Sequence, residues 1–258
     1  MGTHAVEVAC AVAALIEEKE VFSSADRPGA DIAPRVAALL CDAPGAGVDV
    51  LRWKRARMTM ADLSKTFKQL ARDPADDDAI LHDFQNDIPD SDLAAAFLAI
   101  GFPDRCGQLQ KGKVNTFSLG NGRVAAFHSS KEAMASAPYI VAASIDGSDR
   151  RSARIFLAAS ISESLLQKVL GPEGAGAIVT ADETFLAPSD GTVRSKRVTR
   201  LGALVLQSVP LPAPPPEVTL PILLGLVRTQ GLGALLAGDD DARELLARVK
   251  LMSALQEG

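Results

Sequence analysis

Aromatic side chains are scarce in this 258-residue sequence: one Trp, one Tyr and nine Phe make up 4% of it. So few rings argue against a domain built mainly to stack bases. Long apolar runs are missing as well. The longest, Leu93–Ile100 and Ile222–Val227, fall well short of the ~18–20 residues that a membrane-spanning helix needs. The first twenty residues carry no basic stretch ahead of an apolar one and end acidic at Glu17, Glu18 and Glu20, so they do not read as a secretory signal. Val6 stands where a myristoylation motif wants Ser or Thr. Three cysteines, Cys10, Cys41 and Cys106, form no CxxC pair and are odd in number. They point to reduced thiols in an intracellular compartment, the cytoplasm ahead of an organelle. A basic surplus is absent too. Lys and Arg number 27 against 32 Asp and Glu, a net charge of −5. That balance excludes wholesale electrostatic attraction to nucleic acid but leaves room for local basic faces.

What is present is ordinary globular material. The chain is 47% apolar and 23% charged, which excludes disorder over its whole length. A chain of this size buries roughly 70–75% of its unfolded surface, and so folds without disulfides or metal as one large domain or two modest ones. Its pattern changes twice. Residues 1–100 read as helices: Ala5–Glu20 with an apolar stripe at Val6, Ala9, Cys10, Ala13 and Ile16, then Ile32–Leu40, Val50–Arg72 and Ser91–Ile100. The third helix places Ala56, Met60, Leu63, Phe67 and Leu70 on one face and Arg52, Lys54, Arg55 and Arg57 on another.

Residues 101–210 read as strands, with β-like runs at Leu109–Gly120, Gly122–His128, Tyr139–Ile145, Ser152–Ala159, Ala177–Leu186, Thr192–Arg200 and Leu201–Val209. Asn121-Gly122, Asp146-Gly147 and Asp190-Gly191 supply the preferred chemistry of two-residue hairpins between them. One helix interrupts the run, with Ser160 and Glu163 as a capping box and Gly171-Pro172 as its stop. This sequence of elements fits either a small barrel of the OB type or a plain antiparallel sheet carrying a helix. Residues 211–258 open with a proline-rich linker and continue as two helices, Val218–Thr229 and Asp240–Leu255.

One apparent phosphate motif falls away on inspection. Gly107-Gln-Leu-Gln-Lys-Gly112-Lys113-Val114 matches G-x-x-x-x-G-K, but Val114 lacks the hydroxyl that would hold magnesium, and the residues after it alternate like a strand. The stretch is expected to be a hairpin loop. Asp76, Asp77, Asp78, His82 and Asp83 could be read as metal ligands, but a solvated acidic loop explains them more simply. No catalytic residues and no metal site are expected. Basic groups remain: Lys111, Lys113 and Arg123 on the first strands, Arg150, Arg151 and Arg154 around an Asp-Gly turn, and Arg194, Lys196, Arg197 and Arg200 along one strand. Alternation puts Arg194, Lys196 and Arg200 on one side of that strand. Such residues suit either a nucleic-acid backbone or an ordinary solvated face.

Several strings, in order, resemble one family. Phe102-Pro-Asp-Arg105, Ser118-Leu-Gly-Asn-Gly-Arg-Val-Ala125 and Ala137-Pro-Tyr-Ile-Val-Ala-Ala-Ser-Ile-Asp-Gly147 are similar to the YPDRIA, LANGRGA and PWLVVAEIDG segments of HrpB-type ATP-dependent RNA helicases, a DEAH-box family. Arg151–Ala159 resembles that family's REARIRLAA, and Arg200–Pro212 its RLGALVLSERPLP. Ala14–Ala38 resembles the stretch that joins motor to barrel. After Arg105 the family commonly turns strongly basic, whereas this chain reads Cys-Gly-Gln-Leu-Gln before Lys111.

The resemblance implies an α+β part of a helicase: an N-terminal helical, ratchet-like segment (1–100), a small antiparallel OB-like barrel with one capped helix (101–210), and the start of the C-terminal domain (211–258). It implies an accessory role in binding single-stranded RNA beside helicase motor domains, in cis or in trans, with no membrane partner. ATP and Mg would belong to those motors, because this sequence has neither a complete P-loop nor a DEAH box. The residues the resemblance assigns to nucleic acid are Arg52, Arg55, Lys111, Lys113, Arg123, Arg151, Arg154, Arg194, Lys196, Arg197 and Arg200. A protein-docking barrel that never meets RNA is the alternative.

Overall fold

The computed structural model describes residues 3–18, 20–70, 88–146, 152–187, 191–231 and 240–256. Its contacts divide the chain into two units, Met1–Val179 with Arg200–Leu204, and Thr180–Thr199 with Val205–Gly258. The architecture is α+β.

The first unit begins with four helices: α1 (Thr3–Glu18), α2 (Ala33–Leu40), α3 (Val50–Leu70) and α4 (Asp90–Gly101). Helix α1 packs against all three of the others. Its buried residues are Ala5, Val8, Cys10, Ala11, Val12, Ala14 and Leu15; of the stripe that periodicity favoured only Cys10 is buried, while Val6, Ala9 and Ile16 are half-buried and Ala13 is exposed. The helix is alanine-rich and apolar on almost every side, so period alone could not choose between its faces. Helix α4 is similarly enclosed, with Leu93, Ala94, Ala95, Ala96, Leu98 and Ala99 buried, and it contacts the strands that follow.

A turn of 3-10 helix, Pro103–Arg105, leads into five strands: β1 (Cys106–Leu109), β2 (Thr116–Leu119), β3 (Val124–Phe127), β4 (Tyr139–Ile145) and β5 (Ala153–Ser160). They close into a barrel in the order β1-β2-β3-β5-β4, with β4 returning to pair with β1. Every pairing is antiparallel except β3 with β5, which is parallel. The interior is small and filled accordingly. Phe117 and Phe127 meet edge to face at 5.6 Å, and Ala125, Ala142, Ala153 and Ala158 leave room for them. Closure hides every backbone edge.

Three expectations shift at this level. The run Leu109–Gly120 is a hairpin turn followed by β2, and the strand before it, Cys106–Leu109, was not visible as one. Helix α5 (Glu163–Leu170) follows the last barrel strand. Its N-cap is Ser162, whose Oγ accepts from the Leu165 amide at 3.2 Å, and not Ser160, which still belongs to β5. The remaining strands, β6 (Ile178–Leu186), β7 (Val193–Leu201) and β8 (Leu204–Pro210), form a three-stranded sheet of their own. The meander could not show this, because the break is set by barrel closure, a long-range event.

In the second unit β6 and β7 run antiparallel, and Thr180 meets Thr199, Asp182 meets Arg197, and Thr184 meets Ser195 across the hairpin. Helices α6 (Pro216–Gln230) and α7 (Asp240–Gln256) follow. Pro216 occupies the first turn of α6, where its missing N–H costs nothing. Among the described residues no helix is long and apolar enough to cross a membrane.

Candidate nucleic-acid interface

A buried charge fixes the helical entrance. Arg35 on α2 is 1% exposed. Its guanidinium donates to Glu20 Oε2 at 2.7 Å and Oε1 at 3.2 Å, to the Gly29 carbonyl at 2.8 Å, and to the Asp31 carbonyl. Glu20 also accepts the Val21 and Phe22 amides, each at 3.0 Å, and pairs with Arg27 at 2.9 Å. Burial pushes the Glu20 carboxyl up, but the hydrogen bond from Arg35, the Phe22 amide and the charges of Arg35 and Arg27 outweigh it and hold it below the usual range. This cluster locks the loop before α2. That loop in turn bonds to β5, with the Ala158 amide donating to the Ala30 carbonyl at 2.8 Å.

On α3, Arg52, Lys54 and Arg55 are exposed, and Arg52 lies 3.6 Å from Asp49. Arg57 turns inward instead. It donates to the Leu39 carbonyl at 2.7 Å and lies over Trp53, whose indole N–H donates to the Ala38 carbonyl at 2.8 Å. The two side chains cap the end of α2, so the cationic face of α3 is three residues rather than four.

The barrel cations are spread apart. Lys111 and Lys113 sit exposed in the β1–β2 turn, not on a strand, and Gly112 between them has φ +72°. The sequence that looked like a phosphate loop is a strand and a hairpin turn. Arg123 follows the β2–β3 turn at the other end of β2, roughly 13 Å of strand away. Arg154 is exposed on β5. Arg151 lies outside the described residues, as do Arg150 and the acidic group Asp76–Asp83. Among the described residues no cluster of three His, Cys, Asp or Glu could hold a metal ion.

Strand β7 carries Arg194, Lys196, Arg197 and Arg200. Carboxylates of the preceding strand already engage two of them. Arg197 donates to Asp182 at 2.7 and 3.0 Å, which lowers the Asp182 carboxyl's pKa. Lys196 lies 3.6 Å from Glu183 and 4.9 Å above the Phe185 ring. Arg194 bonds Thr192 Oγ1 at 3.1 Å.

Three loops meet in the first unit. The Asn121 amide donates to the Asp104 carbonyl at 2.9 Å, and the Ala203 amide to the Gly120 carbonyl at 2.7 Å. Gly202, in the β7–β8 turn, has φ +55°, and a Cβ there would stand 2.3 Å from the Gly120 oxygen. Only glycine fits. Arg105 completes the junction by stacking over Phe102 at 4.5 Å and donating to the Ala143 carbonyl at 3.1 Å.

Two crystal structures of HrpB from Escherichia coli share this fold. One, described as a DExH-box NTPase, matches with a TM-score of 0.57 and 21% identity over 88% of this chain. The other, described as a DEAH/RHA helicase, matches with a TM-score of 0.55 and 16% identity over 88%. The chain is similar in fold to part of HrpB. It spans about a quarter, 23% and 24%, of those two HrpB chains. No protein-family model and no curated protein matches it. Three of the six strings that resemble HrpB-type sequences, Phe102–Arg105, Ser118–Ala125 and Arg200–Pro212, contribute residues to the three-loop junction.

Two features escaped sequence reading. His128, just past β3, lines a cavity of about 180 Å³ with Asp146, Ser152 and Arg154. Phe156 stands two residues beyond Arg154 on β5 and is 52% exposed. The available signal was an aromatic residue at an outward position of an alternating strand, next to an arginine.

Proposed function

We propose that this chain is an accessory, nucleic-acid-binding C-terminal part of an HrpB-like ATP-dependent RNA helicase, with ATP hydrolysis, its magnesium and unwinding belonging to motor domains. The observation that carries the reading is the junction of Asp104, Gly120 and Gly202. Three distant strings resembling one helicase family converge there, inside a fold shared with HrpB over 88% of the chain. The partners in this reading are single-stranded RNA and the helicase motor, in cis or in trans.

Contacts to phosphate would come from Arg52, Arg55, Lys111, Lys113, Arg123, Arg151, Arg154, Arg194, Lys196, Arg197 and Arg200. Lys196 and Arg197 must release Glu183 and Asp182 to reach RNA, so β7 is expected to add less than its number of cations suggests. The test is single-stranded RNA binding by the purified chain over a salt series, with ATPase followed in the same tubes. The expected result is salt-sensitive binding without hydrolysis. Each phosphate contact removed by substitution should lower the log–log salt slope by about 0.7. Hydrolysis by this chain, or no binding at low salt, overturns the proposal.

A second reading, docking to protein without nucleic acid, draws on α6. Val218, Leu220 and Leu224 are exposed there, and no described residue of that helix is buried. A chain that binds no RNA but co-purifies stoichiometrically with a partner through α6 would favour it.

A further inference from the structure

The outer faces of β2 and β3, where an OB-type barrel commonly receives oligonucleotides, hold little for a base to stack on. Their outward residues are Thr116, Ser118, Val124 and Ala126, while Phe117 and Phe127 point into the core. The seam between β3 and β5 is different. These strands pair in parallel, with Ala126 opposite Arg154 and Phe127 opposite Ile155. On β5 the outward positions are Arg154 and Phe156, roughly 6.6 Å apart along the strand. His128 follows directly after Phe127 and is exposed. An imidazole, a guanidinium and a phenyl ring therefore share one outer face beside the cavity that His128 and Arg154 line.

Among the described residues, the surroundings leave these groups available. Asp146, the carboxylate in the cavity, is engaged by the backbone of β5: its Oδ1 accepts the Arg154 amide at 2.9 Å, and its own amide donates to the Arg154 carbonyl at 3.0 Å. It faces the Arg154 main chain. Phe156 is one of two exposed phenyl rings among the described residues. The other, Phe185, lies beneath Lys196. A large ring held open on a rigid strand beside a cation is the arrangement that takes an unstacked base and its phosphate.

We infer that the β3–β5 seam is a nucleotide subsite for single-stranded RNA, in which Phe156 and His128 stack on bases and Arg154 holds the neighbouring phosphate. The inference rests on the RNA-binding reading above and gives it a location distinct from the β7 cations.

The experiment measures binding of a fluorescein-labelled twelve-residue oligouridine to the full chain by anisotropy across a salt series. Phe156→Ala is expected to weaken binding about fivefold or more while leaving the salt slope unchanged, because a phenyl ring holds no phosphate. Arg154→Ala is expected to lower the slope by about 0.7. Phe156→Trp should keep the affinity, and the new indole should be quenched when RNA is added. Both positions are exposed, and equal thermal transitions will show that the three variants fold. If the parent chain binds but Phe156→Ala and Arg154→Ala bind like it, this subsite is overturned and the broader reading stands. If the parent chain does not bind, both fall.

Discussion

At the scale of single residues, the strongest constraint is Arg35. A cation at 1% exposure must be fully compensated, and one carboxylate with two carbonyls does it. Replacing Glu20 with Gln would leave that charge without its counter-ion, and the expected cost is about 3–5 kcal/mol. The pH response follows from the direction of the Glu20 shift. Its carboxyl is held below its ordinary value in the folded protein, so its contribution is complete above the unfolded value of roughly 4.3. That contribution is lost as pH falls through the lower folded value. Urea midpoints measured from pH 6 down to pH 3 should therefore fall for the parent chain and fall less steeply for Glu20→Gln. Parallel curves would show that the carboxylate contributes nothing in that window. This pair was not legible in the sequence, because Arg35 sits in an apolar stretch of α2 as any solvent-facing arginine might. Its burial depends on a loop returning from α1.

At the scale of elements, the barrel core rests on two phenyl rings. Phe117→Ala removes one of them from a site at 0% exposure, beside alanines that cannot move in to fill the space. The expected loss is about 3–5 kcal/mol, read from urea denaturation with an unchanged m-value. A loss below about 1 kcal/mol would mean the barrel collapses around the gap. Much of this level was legible. The Asn121-Gly122 step marked a real hairpin, and the alternation in Ala153–Ser160 marked a half-buried strand. Helices α2, α3 and α4 lie within a few residues of where their periodicity put them. The face of α1 and membership of the barrel were not legible. Alanine-rich helices carry no directional signal, and which strand closes on β1 is decided by β4, thirty residues away.

At the scale of the whole molecule, the distribution of thiols offers a check that needs no ligand. Cys10 and Cys106 are buried and Cys41 is exposed. Burial, with a smaller push from Asp104, raises the Cys106 thiol to about 12. Treating the folded chain with a thiol reagent at pH 8 should label one cysteine rapidly, and the other two only after denaturant is added. Rapid labelling of all three would contradict the packing of α1 and β1. The candidate site divided in the same way as the fold. Cationic positions were readable because charge is a property of single residues. Their availability was not, since Arg57 is spent on capping α2 and Arg197 on Asp182. The His128–Phe156 seam needed the parallel pairing of β3 with β5 before its members could be neighbours.

The junction at Gly120 also bears on descent. Its three loops are held by main-chain amides and carbonyls, so most side chains there can drift without breaking it, but the backbone paths cannot drift independently. A descendant that lost Gly202 would need a compensating change at Gly120 or Asp104, more than eighty residues away in the chain. Kinship in a chain of this kind should therefore persist longest as correlated glycines and turns, and fade first among the outward charges that meet a ligand.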